Sequence, residues 1–413
     1  MDKKLLKLTC LEQRELFEKT DNFVMRDIAK LITKTKKITA ISGIRRSGKS
    51  TLLKQFAKDC KDYYYLNFED DRLLDFTYRD FNNLYEIFLE NFGDQKVFFF
   101  DEIQNIYGWE KFVRRLFNDG NKIFVTGSNA TLLSSELATA LSGRHQKIEL
   151  YPFSFKEFLD YHKFNLKNFY TTREKSQLKK YFSKYLEYGG FPEVVKSQDK
   201  NELIQLYQDI LIKDLIVRFK IKDTRSFREL ALYLLSNTAS LISFNNLKKI
   251  LEFKSVSSVK NYIDFLEESY LNFSIAKYDY SLKKQIINDK KIFSIDTGLV
   301  RAVSFAFSEN YGQLLENIVF LELKRRGQEI YYYSDKKECD FLIKQGQKIT
   351  EAIQVTKTLL PKNKDREING LLGAMEKYNL KQGLILTDDL EDELKIDNKK
   401  IIIKPVYEWL LEN

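Results

Sequence analysis

The sequence predicts an α/β fold, with a parallel-sheet core at the N-terminus, helical and winged segments in the middle, and a second α/β domain at the C-terminus. Three observations carry this. The loop Gly43-Ile44-Arg45-Arg46-Ser47-Gly48-Lys49-Ser50-Thr51 fits G-x-x-x-x-G-K-[ST] at every constrained position. The run Lys96-Val97-Phe98-Phe99-Phe100 ends in two acids, Asp101 and Glu102. Apolar runs alternate with helical patterns to about residue 150, the rhythm of a parallel sheet with crossover helices.

The loop lies between the short apolar strand Ile38-Thr39-Ala40-Ile41 and the helical pattern Thr51–Phe56. In that order, the glycines let the backbone wrap a phosphate chain. Backbone amides and the helix N-terminus then present partial positive charge to the anion. The pattern makes residues 43–51 the expected ATP cradle, with Lys49 on the β- and γ-phosphates and the Ser50 hydroxyl on Mg²⁺.

The acid-ended run reads as a fully buried parallel strand. Ligands in open α/β sheets collect at the carboxyl ends of strands, so its acids fall beside the loop. Asp101 is expected to position Mg²⁺ through water, and Glu102 to act as general base on the attacking water. The alternative is an acid pair that only caps the next helix. Lys122–Asn129 is a further strand, and Ser128 or Asn129 at its end could sense the γ-phosphate. An extra strand between the two nucleotide motifs marks the additional-strand ATPases. An acid beside the Mg²⁺ ligand argues the same way, and against a nucleotide kinase or a GTPase. Tyr63–Phe68 and Gln146–Leu150 complete five strands. Arg144, after Gly143, is a candidate arginine finger acting in cis or from a neighbouring subunit of a homo-oligomer. Its alternative is a surface arginine holding a carboxylate.

Composition narrows the function classes. The 413 residues suggest two or three domains, and 43% hydrophobic content can fill their cores. No stretch nears the roughly 18 apolar residues of a membrane span, and Met1–Leu6 lacks a signal-peptide core. Three scattered cysteines, Cys10, Cys60 and Cys339, form neither a disulfide frame nor a zinc pattern, so a cytoplasmic setting is expected. Two histidines leave little room for histidine-centred chemistry, and a net charge of +9 permits nucleic acid as a partner.

Residues 151–222 read as helical, with Gly189-Gly190 as an expected hinge, and resemble the helical lid of AAA+ proteins. Residues 223–305 read as three short helices and a hairpin, a winged helix-turn-helix. Its third helix, Ser255–Leu266, would offer Ser257, Ser258, Lys260 and Asn261 to DNA; the alternative is a protein-interaction module. Residues 306–413 follow an α–β–β–β–α–β order that resembles the PD-(D/E)xK nuclease fold. In that fold an acid on the first helix, an acid on the second strand and E-x-K on the third hold Mg²⁺ and activate water. Glu316 and Asp340 match the first two positions. Gln354-Val355-Thr356 falls where E-x-K belongs, and strand alternation would turn Lys357 to the other face.

Across nearly its whole length the chain resembles prokaryotic AAA-type ATPases whose P-loop domain precedes a C-terminal half of uncharacterised function. The matching pieces are Gly43–Ser50, Phe100–Gln104, Thr126–Ser128, Leu141–Arg144, Tyr151–Ser154, Tyr188–Pro192, Leu314–Asn317, Glu338–Phe341 and Ile403–Leu410. The resemblance implies an ATP-binding AAA+ core over 1–150, a winged-helix middle and a nuclease-like end. Two functions follow from different classes. One is an ATPase acting on DNA. The other is an ATP-dependent switch that binds a partner protein through a degenerate nuclease-like domain.

Overall fold

The computed structural model describes residues 1–19, 23–29, 36–128, 141, 143–304 and 311–412. The chain divides into two compact units, Met1–Tyr151 and Pro152–Asn413.

The first unit opens with helix α1 (Lys3–Glu18). It starts where it does because the Asp2 carboxylate accepts the amides of Lys4 and Leu5 at 2.7 and 2.9 Å. Then come β1 (Ile38–Ser42), α2 (Lys49–Lys58), β2 (Tyr64–Asn67), α3 (Phe81–Phe92), β3 (Val97–Asp101), α4 (Trp109–Asn118), β4 (Lys122–Gly127) and β5 (His145–Glu149). The five strands form one sheet in the order β2-β3-β4-β1-β5, and every neighbouring pair is parallel. Strand β4 therefore separates the loop strand β1 from the acid strand β3, as the sequence led us to expect.

Unbroken apolar runs become strands here because both faces are covered. Phe98 and Phe100 pack on one side with Leu84, Phe88 and Phe112. Phe99 points the other way, to Phe17, Phe56 and Phe124. The same alternation sends Leu66 to the first layer and Tyr65 to the second. Residues 130–140 of the helix expected from Ala130 to Leu141, and Asn129, lie outside the described residues.

The second unit begins with α5 (Phe155–Tyr161), α6 (Thr172–Tyr188), α7 (Pro192–Ser197), α8 (Lys200–Asp209) and a π-helical turn, Ile210–Val217. Next are α9 (Thr224–Ser236), β6 (Ser240–Ile242), α10 (Phe244–Ile250), α11 (Val256–Glu268), β7 (Asn272–Ala276), α12 (Leu282–Ile287) and β8 (Lys290–Ser294). These three strands make an antiparallel sheet ordered β6-β8-β7. Ser255 caps α11, accepting the Ser258 amide at 3.1 Å. Helices α13 (Thr297–Val303) and α14 (Tyr311–Arg325) lead to β9 (Glu329–Ser334), β10 (Glu338–Gln345), β11 (Lys348–Val355), α15 (Pro361–Lys377), β12 (Gln382–Thr387), β13 (Asp392–Ile396), β14 (Lys399–Pro405) and α16 (Val406–Trp409). Their sheet runs β13-β14-β12-β11-β10-β9, with β12 parallel to β11 across the α15 crossover.

Gly189 and Gly190 are not a free hinge. A Cβ on Gly189 would stand 2.0 Å from the Asp296 carboxylate, and one on Gly190 would stand 2.3 Å from the Phe153 carbonyl. The Gly190 amide donates to Asp296 at 2.7 Å, and its carbonyl accepts from Phe153 at 2.7 Å. The Asp296 carboxylate and a positive φ of 74° at Gly189, and the Phe153 backbone at Gly190, explain glycine at the two positions.

Candidate active site

The loop joins β1 to α2 through a backbone that few sequences tolerate. Gly48 is left-handed at φ 96°, and Arg46 is left-handed at φ 61°. Gly43 leaves no room for a side chain, since its Cβ would lie 2.2 Å from the Leu150 carbonyl oxygen. No side chain caps the start of α2, so this helix end keeps its partial positive charge for an anion. Buried Arg26 donates to the Ser47 carbonyl at 2.9 Å and to the Tyr151 carbonyl at 2.7 Å. The Ser47 hydroxyl is buried with no hydrogen-bond partner among the described residues. These features fit a polyphosphate held by residues 43–51.

Lys49 is buried, and its ammonium reaches the Gly43 and Ile44 carbonyls at 3.2 and 3.3 Å. It also donates to Ser128 at 3.0 Å and pairs with Glu102 at 3.3 Å. Ser128 in turn donates to Glu102 at 2.7 Å. Three strands thus bring Lys49, Glu102 and Ser128 into one network. Glu102 sits in the left-handed region at φ 50° and forms no side-chain cap on the turn that follows. That removes the capping alternative. A non-glycine residue strained in this way is held by its surroundings: its amide donates to Thr126 at 3.0 Å, and Gln104 donates to its carboxylate at 2.6 Å.

The two acids are set apart electrostatically. Burial and the neighbouring Glu102 charge raise Asp101 above its ordinary value, against hydrogen bonds from Ser50 and Thr126. Burial also pushes on Glu102, but Lys49, Ser128 and Gln104 together hold it below its ordinary value. Its partners thus favour the ionised form of Glu102, the form a proton acceptor needs. Ser50 and Asp101, already hydrogen-bonded to each other, are the residues that would hold Mg²⁺. The ion would supply counter-charge for the phosphates.

Arg144 is exposed, and its carbonyl accepts the Ile38 amide at 2.8 Å where β5 meets β1. The sequence reading did not assign roles to Gln104 and Thr126. A threonine in the otherwise apolar β4 was the available signal.

A second cluster lies in the Pro152–Asn413 unit. Glu316 on α14 and Asp340 on β10 converge there, but on an ammonium: Lys291 of β8 stands 2.7 Å from Glu316 and 2.8 Å from Asp340. Glu338 is 3.2 Å from the same nitrogen. Burial and the Asp340 charge work against ionisation of Glu316, and the Lys291 ammonium 2.7 Å away opposes them. Burial works against the charge on Lys291, yet the three carboxylates hold it well above its ordinary value. Gln354 joins the cluster by accepting the Asp340 amide at 3.3 Å and donating to Glu367 at 2.7 Å. Among the described residues no group of three or more His, Cys, Asp or Glu is arranged to hold a metal ion. Strand β11 ends at Val355, and the exposed Lys357 beyond it holds its ammonium 4.9 Å from the Tyr311 ring centroid. Lys291 falls outside the E-x-K pattern, which places a lysine on the third strand. The usable signal was that it shares a strand face with buried Phe293.

Residues 35–159 match the family described as an AAA domain. Residues 179–310 and 311–408 match two domains of unknown function, DUF8612 and DUF4143. The chain is 37% identical over 443 residues to an uncharacterised protein of Methanocaldococcus jannaschii, covering 100% of this chain and 99% of that one. It is 34% identical over 401 residues to an uncharacterised protein of Haemophilus influenzae, covering 91% and 94%. Among solved structures it is similar to a Walker-type ATPase of Pyrococcus abyssi, at 15% identity and TM-score 0.42, covering 70% of this chain and 99% of that one. It is also similar to Cdc6p from Pyrobaculum aerophilum, at 12% identity and TM-score 0.27, covering 77% and 93%. Relatives this alike along the whole chain show the family: this protein belongs with those of M. jannaschii and H. influenzae, and its first unit is a P-loop ATPase domain of the AAA type.

Proposed function

We propose that this protein couples Mg²⁺-dependent ATP hydrolysis to work on DNA. In this reading Lys49 grips the phosphates, Ser50 and Asp101 hold Mg²⁺, Glu102 takes the proton of the attacking water, and Ser128 senses the γ-phosphate. Arg144 supplies transition-state charge, in cis or across a homo-oligomer. Residues 151–222 form a helical lid, 223–305 a winged helix and 306–413 a PD-(D/E)xK-like domain, in a cytoplasmic protein. The observation that carries the ATPase part is the Lys49–Ser128–Glu102 network, which brings a charged base to the phosphate loop. The DNA part is supported by the order α9-β6-α10-α11-β7-α12-β8, with β7 and β8 paired antiparallel, and by Ser257, Lys260 and Asn261 standing exposed on α11. No helix among the described residues is long and apolar enough to cross a membrane.

A second reading, an ATP-dependent switch for a partner protein, is favoured by the ammonium seated among Glu316, Glu338 and Asp340. The two part on DNA affinity. A DNA-acting protein binds with a steep negative dependence on salt, and Lys260→Ala flattens it by about one unit of slope. Turnover and self-assembly that ignore DNA would sink the first reading.

A further inference from the structure

A cavity of about 1150 Å³ in the Pro152–Asn413 unit has the Lys291 cluster in its wall. Lys291 is 3% exposed. Its ammonium has three N–H donors, and three carboxylates stand within reach: Glu316 at 2.7 Å, Asp340 at 2.8 Å and Glu338 at 3.2 Å. Asp340 and Gln354 have little left to offer a metal, and Glu316 Oε1, buried without a hydrogen bond among the described residues, faces the Lys291 ammonium as an ion pair at 2.7 Å. The second Asp340 oxygen accepts the Val355 amide at 2.8 Å, and both ends of the Gln354 amide are bonded. Mg²⁺ demands a near-octahedral set of oxygens at about 2.0–2.1 Å. A cluster closed around an ammonium, with a neutral glutamine where the third ligand belongs, does not offer that set. Lysines at 336, 337, 357 and 362 stand exposed around the opening.

We propose that the Lys291 ammonium is the resident cation of this cleft in place of a divalent metal, so that the cleft binds a phosphodiester chain through its lysine rim without cutting it. The proposal rests on the nuclease-like reading of residues 306–413. It also explains why a lysine is buried on β8, a strand outside that fold: it neutralises carboxylates that would otherwise repel one another.

The test is Mn²⁺ uptake by nucleotide-free protein, followed by electron paramagnetic resonance. The wild type should show no uptake that Asp340→Asn removes. Lys291→Ala should gain Mn²⁺ binding at least about tenfold tighter than wild type, with a rise in melting temperature on adding Mn²⁺ that Asp340→Asn abolishes. Lys291→Arg, which keeps a cation, should behave as wild type and serves if the alanine variant does not fold. Mn²⁺ bound by the wild type and lost in Asp340→Asn would overturn the proposal, because Lys291 would then be a displaceable neighbour of a metal. For the ligand, fluorescent duplex DNA should bind equally in Mg²⁺ and in EDTA, and a Lys336→Ala/Lys337→Ala double variant should weaken it roughly tenfold. DNA binding that requires Mg²⁺ would also overturn it. The underlying reading fails separately: a metal-free cleft in a chain whose turnover ignores DNA leaves Lys291 as the resident cation and removes the DNA role.

Discussion

Gly43→Ala tests the loop's packing against the end of β5. The φ of Gly43 lies outside the left-handed region, so alanine can adopt its backbone and any effect comes from space alone. The new Cβ would lie 2.2 Å from the Leu150 carbonyl oxygen, whereas ordinary contact begins at 3.4 Å. Loop and strand must therefore part by about 1.2 Å, against the 2.7 Å hydrogen bond from the Leu150 amide to the Ser42 carbonyl. Overpacking of this kind costs about 1–3 kcal/mol. In a unit of this size each kcal/mol lowers the melting temperature by roughly 2–4 °C. The functional loss should be larger in proportion, because misplacing a positioning group by about 1 Å can cost on the order of 100-fold in rate. The assay is ATP turnover beside a thermal melt. Gly312→Ala is the control: it lies in α14 with open space around its Cβ, and should stabilise by about 0.5–1 kcal/mol with turnover unchanged. Turnover of Gly43→Ala equal to wild type would refute the claim that this glycine lets the strand approach the phosphate loop.

Two further outcomes follow from the second unit. Burial pushes the Asp296 carboxyl up from 3.8 to about 6, although it accepts the Gly190 and Leu299 amides. A folded value above the unfolded one gives a contribution that is full below about 4 and lost as pH rises through about 6. Asp296→Asn cannot ionise, so melts from pH 4 to 7 should show the wild type losing ground relative to the variant; a difference flat in pH would contradict this. Gly190→Ala should destabilise the same unit by about 1–3 kcal/mol, since its Cβ meets the Phe153 carbonyl at 2.3 Å. Faster hydrogen exchange at the Phe153 amide is the readout, and unchanged protection there would argue against the clash.

The nucleotide half was legible because its signals are local. A loop pattern, an apolar run and two acids lie within short stretches, and the parallel sheet turns strand ends into neighbours. The strain at Glu102 and the support from Gln104 and Thr126 were not legible, because they depend on how three strand ends meet. The second unit was less readable for the same reason. Lys291 is 25 residues before Glu316 and 49 before Asp340, and nothing near it in sequence hints at either. Gly189 and Gly190 read as a hinge until Asp296 and Phe153 are seen packed against them. The strand β6 is three residues long, too short to show a period-2 pattern, and the strands of the β13–β14 hairpin carry charges on half-exposed faces.

The most direct test of the account is ATP turnover of the wild type and of Glu102→Gln, each with and without duplex, forked and single-stranded DNA. The account predicts that Glu102→Gln keeps ATP bound and loses about 10²–10⁴-fold in turnover, and that DNA raises the wild-type rate. Undiminished turnover in Glu102→Gln would contradict the assignment of the base, and a wild-type rate indifferent to every DNA form would contradict the coupling to DNA.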